Sequence, residues 1–140
     1  MKTLFSLVAV ALLASPSYAR AACAEAPESV MNDKYTVQVI SKSHMDLQFV
    51  LYINPDYTTF AKSVKVVGGM EYRDSQSENP EVPTCEDQEN RSIRWHNPLV
   101  ATHNTSGGSS SFESIYRVCF YNSYGQLISQ ALVCNSEVGD

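Results

Sequence analysis

The segment Ile115–Cys134, with the sequence IYRVCFYNSYGQLISQALVC, decides the predicted fold because it contains two β-strands joined by a tight turn. Side chains in its first half alternate between two faces, which is the period of a strand. Gly125 lies in the turn and can adopt a positive φ without a steric penalty. The hairpin places one charge, Arg117, on the face away from the side chains that should be buried, Tyr116, Val118 and Phe120.

The first residues have the composition of a secretory signal peptide. Lys2 supplies a positive charge, and residues 4–13 form an apolar run that is too short to span a bilayer. We predict a signal peptide at residues 1–19, with cleavage between residues 19 and 22, and a single secreted domain at residues 23–140. No later segment is long and apolar enough for a membrane helix, so we expect an extracellular protein without membrane association.

The mature chain contains four cysteines. In an oxidising compartment this even number predicts two disulfides, and four cysteines allow three pairings. We favour Cys23 with Cys134, because closing nearly the whole chain would stabilise the fold by roughly 4–5 kcal/mol in the loop-entropy treatment. Cys85 would then pair with Cys119 and tie a polar loop to the central hairpin. Paired cysteines leave no thiol nucleophile and no zinc ligands, and we expect no metal and no cofactor.

Two tripeptides match the acceptor sequence for N-linked glycosylation. They begin at Asn90 and at Asn104, and neither has proline at its middle position. Both lie in polar surroundings, which is typical of exposed loops in a secreted chain. We therefore predict Asn90 and Asn104 as candidate glycosylation sites.

The middle of the chain is predicted to form several strands. Residues 35–40 alternate and are rich in β-branched side chains, and residues 47–53 are the most apolar run of the mature chain. Shorter strands are expected at residues 91–95 and 99–102, followed by a glycine- and serine-rich loop at residues 103–111.

Residues 56–67 are ambiguous between a helix and a strand. Tyr57, Phe60 and Ala61 lie at helical spacing, and Asp56 can cap a helix start. Several valines between residues 64 and 67 favour a strand instead. We predict a helix that ends at the glycines of residues 68–69, and therefore an α+β domain with a single helix packed on an antiparallel sheet. The alternative is an all-β sandwich.

The chain is acidic, with a formal net charge of −5 at pH 7. Much of the negative charge lies between residues 68 and 89, which are predicted to form a long solvated loop. This charge argues against a broad electrostatic contact with nucleic acid and favours a protein partner.

Three motifs follow one another in the C-terminal half. Arg94–Leu99 has the sequence RWHNPL, residues 106–109 are glycine-rich, and Arg117–Phe120 is followed by Gln126–Leu127. In order and spacing, these motifs resemble the Glu-Trp-Pro-aliphatic strand, the glycine-rich loop and the Arg-Val-x-Phe hairpin of the small secreted fungal guanyl-preferring ribonucleases. The resemblance covers roughly residues 91–134. It implies a microbial ribonuclease-like fold, and the terminal disulfide of that family is similar to a Cys23–Cys134 pairing.

The resemblance does not extend to the catalytic residues. That family cleaves RNA with a glutamate as base, a histidine as acid and an arginine that holds the phosphate. Only the arginine is matched, by Arg117, because Arg94 stands at the position of the glutamate and Leu132 or Val133 at that of the distal histidine. In this loss the chain is similar to the RNase-like effectors that plant-pathogenic fungi secrete.

The expected function is therefore that of a secreted, monomeric, non-catalytic effector that binds a host protein or RNA, outside or inside host cells. For RNA, Arg117 and Arg94 would contact phosphate, while Trp95 or Tyr116 would stack on a base. Two alternatives remain open. One is an unrelated disulfide-stabilised β-sandwich that binds a ligand. The other is an active ribonuclease with a rearranged site around Arg117, built from His96, His103 and Glu113.

Overall fold

The chain folds into eight β-strands and one short 3-10 helix within the residues that the computed structural model describes, which are 26–43, 46–72, 82–106 and 112–137. The predicted signal peptide lies outside these residues. The strands are β1 (Ser29–Met31), β2 (Tyr35–Ser43), β3 (Asp46–Ile53), β4 (Ser63–Tyr72), β5 (Arg94–Asn97), β6 (Val100–Ser106), β7 (Phe112–Tyr121) and β8 (Leu127–Glu137), and the 3-10 helix spans Pro55–Thr59.

The strands form two antiparallel sheets. The large sheet has the order β1-β2-β3-β6-β5, and the small sheet has the order β4-β7-β8. Their inner faces pack together in one core, where the rings of Tyr35 and Phe120 lie 4.4 Å apart and those of Phe49 and Tyr116 lie 4.5 Å apart. Two sheets that bury their apolar faces against each other make a β-sandwich.

The predicted helix at residues 56–67 is wrong. The helical spacing produces only the 3-10 turn at Pro55–Thr59, and residues 63–72 form β4. Val66 is buried in the core, and β4 pairs with β7 from Ser63 to Tyr72. The β-branched valines decide the outcome, because a strand accommodates them and also completes the small sheet. The α+β fold with one helix packed on a sheet is therefore incorrect, and the all-β alternative describes the architecture.

The hairpin prediction is correct. β7 and β8 pair from Phe112 to Tyr121, with Ile115 opposite Cys134, and Gly125 adopts a φ of 74° in the turn. The strands expected at residues 35–40 and 47–53 are also present, as parts of β2 and β3. Period-two alternation was sufficient in these segments, because each strand has one face in the core.

Residues 82–90 form a strap across the outer face of the small sheet, where a solvated loop was expected. The predicted Cys85–Cys119 disulfide is present and joins the strap to β7. The Arg117 guanidinium donates a hydrogen bond to the carbonyl oxygen of Pro83, and Lys65 Nζ donates to that of Cys85 over 2.8 Å. The strap covers outer-face residues that are buried as completely as the core, Val67, Ile115 and Cys119.

The second predicted disulfide is only partly visible. Cys134 is disulfide-bonded. Its predicted partner, Cys23, lies outside the described residues, so the Cys23–Cys134 pairing stays a prediction.

No helix within the described ranges is long and apolar enough to cross a membrane.

Two glycines with positive φ provide a test of how closely β7 and the strap pack around β4. Gly68 has a φ of 91°, and a Cβ there would overlap the backbone oxygen of Ile115 and lie 3.0 Å from Pro83. Gly68→Ala should lower the free energy of unfolding by roughly 3 kcal/mol or more, because backbone strain and overlap add. Gly125→Ala is the matched control. It has a φ of 74° with no atom within 4 Å of its Cβ position, and should cost about 1 kcal/mol.

Urea denaturation of both variants, with the disulfides intact, measures the difference. Equal losses would show that Gly68 is needed only for its backbone conformation, and that neither the backbone of Ile115 nor the strap packs closely against it.

Candidate functional site

Arg117 is held by the strap and by β8. Its Nε–H donates to the Pro83 carbonyl oxygen, and its Nη1 donates to Gln130 Oε1 over 2.9 Å. These contacts use the N–H groups of Nε and Nη1 and hold the guanidinium against the outer face of the small sheet. Arg117 therefore acts as a structural clamp between β7, β8 and the strap.

The residues of the rearranged ribonuclease site do not come together. His96 is exposed on the large sheet and its Nε2 lies 2.8 Å from Thr102 Oγ1, whereas His103 points into the sandwich. Arg117 lies on the outer face of the opposite sheet, and packed sheets are about 10 Å apart. The backbone of Glu113 pairs with that of Glu71, and its side chain lies outside the described part. No single phosphate can contact His96, His103 and Arg117.

The candidates for RNA contact do not share a surface either. Tyr116 is only 1% exposed and packs in the core, so it offers no ring face to a base. Trp95 is 38% exposed at the edge of the large sheet. Arg94 precedes Trp95 on β5, and the two pair with Thr102 and Ala101 respectively, so their side chains leave the strand on opposite faces.

An inner polar cluster, which the sequence pattern did not predict, lies between the sheets. His103 Nδ1 lies 2.7 Å from the Tyr116 hydroxyl, and Thr105 Oγ1 lies 3.4 Å from Ser114 Oγ. β6 continues to Ser106, so Ala101, His103 and Thr105 share its inward face, in alternation with Thr102 and Asn104. The signal was present as this alternation, but the Gly/Ser-rich composition predicted a loop from residue 103.

Burial keeps the inner polar cluster uncharged. Desolvation lowers the pKa of His103 and raises the pKa of Tyr116 far above its ordinary value. At neutral pH the Tyr116 hydroxyl therefore donates to Nδ1 of a neutral imidazole. A protonated phenol and a neutral imidazole inside a sandwich satisfy each other and stabilise the core, and they present no ionised nucleophile to a substrate.

A groove lies at what we term the connector end of the sandwich, made by the turns at residues 32–34 and 122–126 and by residues 54–62. It has a volume of about 490 Å³ and is lined by Lys34, Tyr57, Thr59, Phe60, Asn122 and Ile128. Phe60 is 66% exposed, and Tyr124, at the tip of the adjacent turn, is 87% exposed. The Lys34 ammonium lies 5.7 Å from the centre of the Tyr57 ring.

Local sequence explains why this end is apolar and exposed. Asn54 caps the 3-10 helix by accepting a hydrogen bond from the Asp56 amide, and Tyr57 inserts into the core against Phe120, with ring centres 5.4 Å apart. Burying Tyr57 and Ala61 turns Phe60, which lies between them, outward. Ring stacking and apolar contact are what the groove can offer a ligand, together with the ammonium group of Lys34.

A smaller groove of about 330 Å³ opens beside Trp95, between the start of β4 and the turn at Pro98. Apart from Lys62 its lining carries no charged side chain, and it contains no histidine or carboxylate. Across the described residues, no three histidine, cysteine, aspartate or glutamate side chains are grouped to hold a metal ion. Neither groove has a proton donor and acceptor arranged around a shared space, as general acid–base catalysis requires.

The two glycosylation candidates differ in their surroundings. Asn90 is half-buried, its Nδ2 donates to the Gly68 carbonyl oxygen, and its Oδ1 accepts from the Ser92 amide over 2.8 Å. Asn104 is exposed on β6. The amide nitrogen that would carry a glycan is therefore occupied in Asn90 and open in Asn104.

Comparison with family models, with curated proteins and with solved structures finds no match for this chain. The resemblance to fungal ribonucleases and their effector relatives accordingly stays an expectation from the sequence.

The inner polar cluster predicts a pH dependence of stability. The pKa of His103 is lowered from 6.5 in the fold, so between that lowered value and 6.5 the unfolded chain binds more protons. The free energy of unfolding should therefore rise with pH through this window and level off above about 6.5. His103→Gln should remove this component, whereas His96→Gln, which changes an exposed ring, should retain it.

Urea denaturation of both variants and the wild type between about pH 5 and pH 8 checks the prediction. Identical pH profiles for His103→Gln and the wild type would show that His103 is not desolvated in the fold.

Proposed function

We propose that this chain is a secreted, non-catalytic protein that binds another protein through the connector end of its β-sandwich. The observation that carries the proposal is the exposure of Phe60 and Tyr124 beside the groove there. Leu127 and Ile128, which follow in β8, are also exposed. Single apolar side chains on a surface are normal, but several aromatic and aliphatic side chains on one end are typical of an interaction site.

Both aromatic side chains are held by rigid backbone. The amides of Phe60 and Ala61 each donate to the Tyr57 carbonyl oxygen over 2.9 Å. In the turn, Asn122 Oδ1 accepts hydrogen bonds from the amides of Tyr124 and Gln126 at 2.9 and 3.0 Å. Residues that are already ordered lose less conformational freedom on binding, which favours affinity.

A protein partner fits this surface better than RNA. The chain carries a net charge of −5, and the exposed charges of the connector end include two lysines and two aspartates, Lys34, Lys62, Asp33 and Asp56. RNA binding needs an excess of positive charge along the phosphate backbone. The arginines expected to contact phosphate, Arg94 and Arg117, lie on different sheets, and Arg117 is held by the strap.

Secretion and an effector role form part of the proposal. The Cys85–Cys119 disulfide is consistent with an oxidising compartment, which fits the signal peptide predicted for residues 1–19. The partner class we propose is a host protein, bound outside host cells or after uptake. The ribonuclease-like fold is not part of the proposal.

The double substitution Phe60→Ser with Tyr124→Ser tests the binding surface. A tagged variant should recover its partner from host extract with at least about tenfold lower yield than the wild type, because two exposed aromatic contacts are lost. Ile40→Ser is the matched control, since Ile40 is 37% exposed but lies on β2 five residues beyond the start of the strand, away from the turn at residues 32–34. Quantitative mass spectrometry of the recovered proteins gives the yields.

Equal recovery of every protein by the double variant, the control and the wild type would reject the connector end as the binding surface.

A second measurement addresses catalysis, by incubating the purified protein with total RNA. No cleavage is expected. Cleavage that disappears in His96→Ala or His103→Ala would replace the binding proposal with a ribonuclease.

Glycosylation is proposed at Asn104 only. Expression in eukaryotic cells should give a glycosylated protein that Asn104→Gln converts to the unmodified mass, because the amide of Asn104 is open to solvent. Asn90→Gln should leave the glycan mass unchanged, since the Asn90 amide packs against Gly68. Intact-mass measurement before and after enzymatic deglycosylation decides between the two positions, and a glycan at Asn90 would contradict the packing of the strap on β4.

A further inference from the structure

The two sheets have four edges, and three of them are blunted in the structure. β1 has only three residues, and β5 has four and is followed by Pro98. The edge of β4 is occupied by the strap, because the Asn90 amide donates to the Val66 carbonyl oxygen over 2.9 Å. Short strands, proline and covering segments are the usual means by which proteins keep sheet edges from pairing with other chains.

The fourth edge, β8, meets the segment before β1 at Cys134, but within the described residues no strand or strap pairs with it along Leu127–Val133. It is the longest strand described, with 11 residues, and its backbone pairs with β7 on one side only. On the open side, the Cys134 amide donates to the Pro27 carbonyl oxygen over 3.0 Å. The stretch Leu127–Val133 before it has no backbone partner on that side among the described residues. Residues 122–136 carry no charged side chain.

We infer that β8 is an interface at which two copies of this chain pair in antiparallel fashion. A two-fold axis at Gln130, the midpoint of Leu127–Val133, would join the two small sheets into one continuous sheet. A two-fold dimer uses the same patch on both copies, so each residue meets its own symmetry mate or a residue equally distant from the axis. This pairing replaces the monomer expected from the sequence.

The direction of the backbone groups fits an axis at Gln130. The Cys134 amide points away from β7, and the direction of amides alternates along a strand, so those of Leu132 and Gln130 also point to the open edge. In an antiparallel pair centred on Gln130, the two Gln130 residues would exchange both backbone hydrogen bonds. The pairing therefore uses donors and acceptors that the small sheet leaves free.

The ends of the strand select the same register. With the axis at Gln130, Leu127 lies opposite Val133 of the second copy, and Cys134 lies opposite Gln126. Gln126 precedes the strand, so the Pro27 segment of each copy lies beyond the end of the other copy's β8. An axis one residue later would place Ile128 of the second copy where Pro27 already bonds Cys134.

Charge favours a second copy as the occupant. Two chains of net charge −5 repel each other over most of their surface, but β8 contributes no charge to the contact before Glu137. The Gln130 side chain is already positioned, because Oε1 accepts from Arg117 Nη1 over 2.9 Å. Its amide nitrogen remains available to the symmetry-related Gln130, and paired glutamine side chains stabilise adjacent strands.

Sedimentation velocity of the full secreted chain, from about 10 micromolar to about 1 millimolar, tests the inference. The wild type should shift from monomer to dimer as concentration rises. Gln130→Lys places two like charges opposite each other at the axis and should weaken dimerisation at least tenfold. Gln88→Lys is the control, because it makes the same charge change at an exposed position of the strap and should dimerise like the wild type.

A mixture tests the register itself. Gln130→Lys and Gln130→Glu, one carrying a longer tag, should form a mixed dimer in native mass spectrometry, because opposite charges then meet at the axis. Thermal melting confirms that each variant is folded. A wild type that stays monomeric throughout the range would overturn the inference, as would a dimer unaffected by Gln130→Lys. A monomer that instead binds an added extended peptide at β8 would assign the edge to a different partner.

Discussion

The structure depends on burying β7 on both faces. Its inner side chains fill the space between the sheets, and its outer side chains are covered by the strap that the Cys85–Cys119 disulfide fixes in place. A three-stranded sheet in a domain of this size has a small core, and covering its second face increases the apolar area removed from water. The contacts of Arg117 and Lys65 with strap carbonyl oxygens follow from this arrangement.

The same constraint determines which residues are available for function. Arg117 holds the strap, and Tyr116 and His103 pack in the core. The side chains best suited to bind a phosphate or transfer a proton therefore stabilise the fold. The exposed surface is left with apolar and aromatic side chains at the connector end and with the uncharged edge of β8. Both are surfaces for contact with another chain, and they meet at Leu127 and Ile128, which begin β8 beside the groove of the connector end.

Regular alternation explains which elements could be predicted from the sequence. The hairpin of β7 and β8 and the strands β2 and β3 follow the period of two, because each has one face in the common core. Residues 56–67 carried signals for both a helix and a strand, and the valines formed a strand because β4 completes the small sheet by pairing with β7. His103 was placed in a loop because neighbouring glycines and serines masked the inward alternation of β6.

The sequence by itself determined the local elements with one clear period and the turn at Gly125, and it favoured the Cys85–Cys119 pairing among three, which the structure confirms. Only the tertiary structure decided what those elements are for. Whether an arginine is a ligand or a clamp, and whether a strand edge is open or covered, depends on which segment packs across it. Such contacts join residues far apart in the chain, as between Pro83 and Arg117, and local patterns carry no information about them.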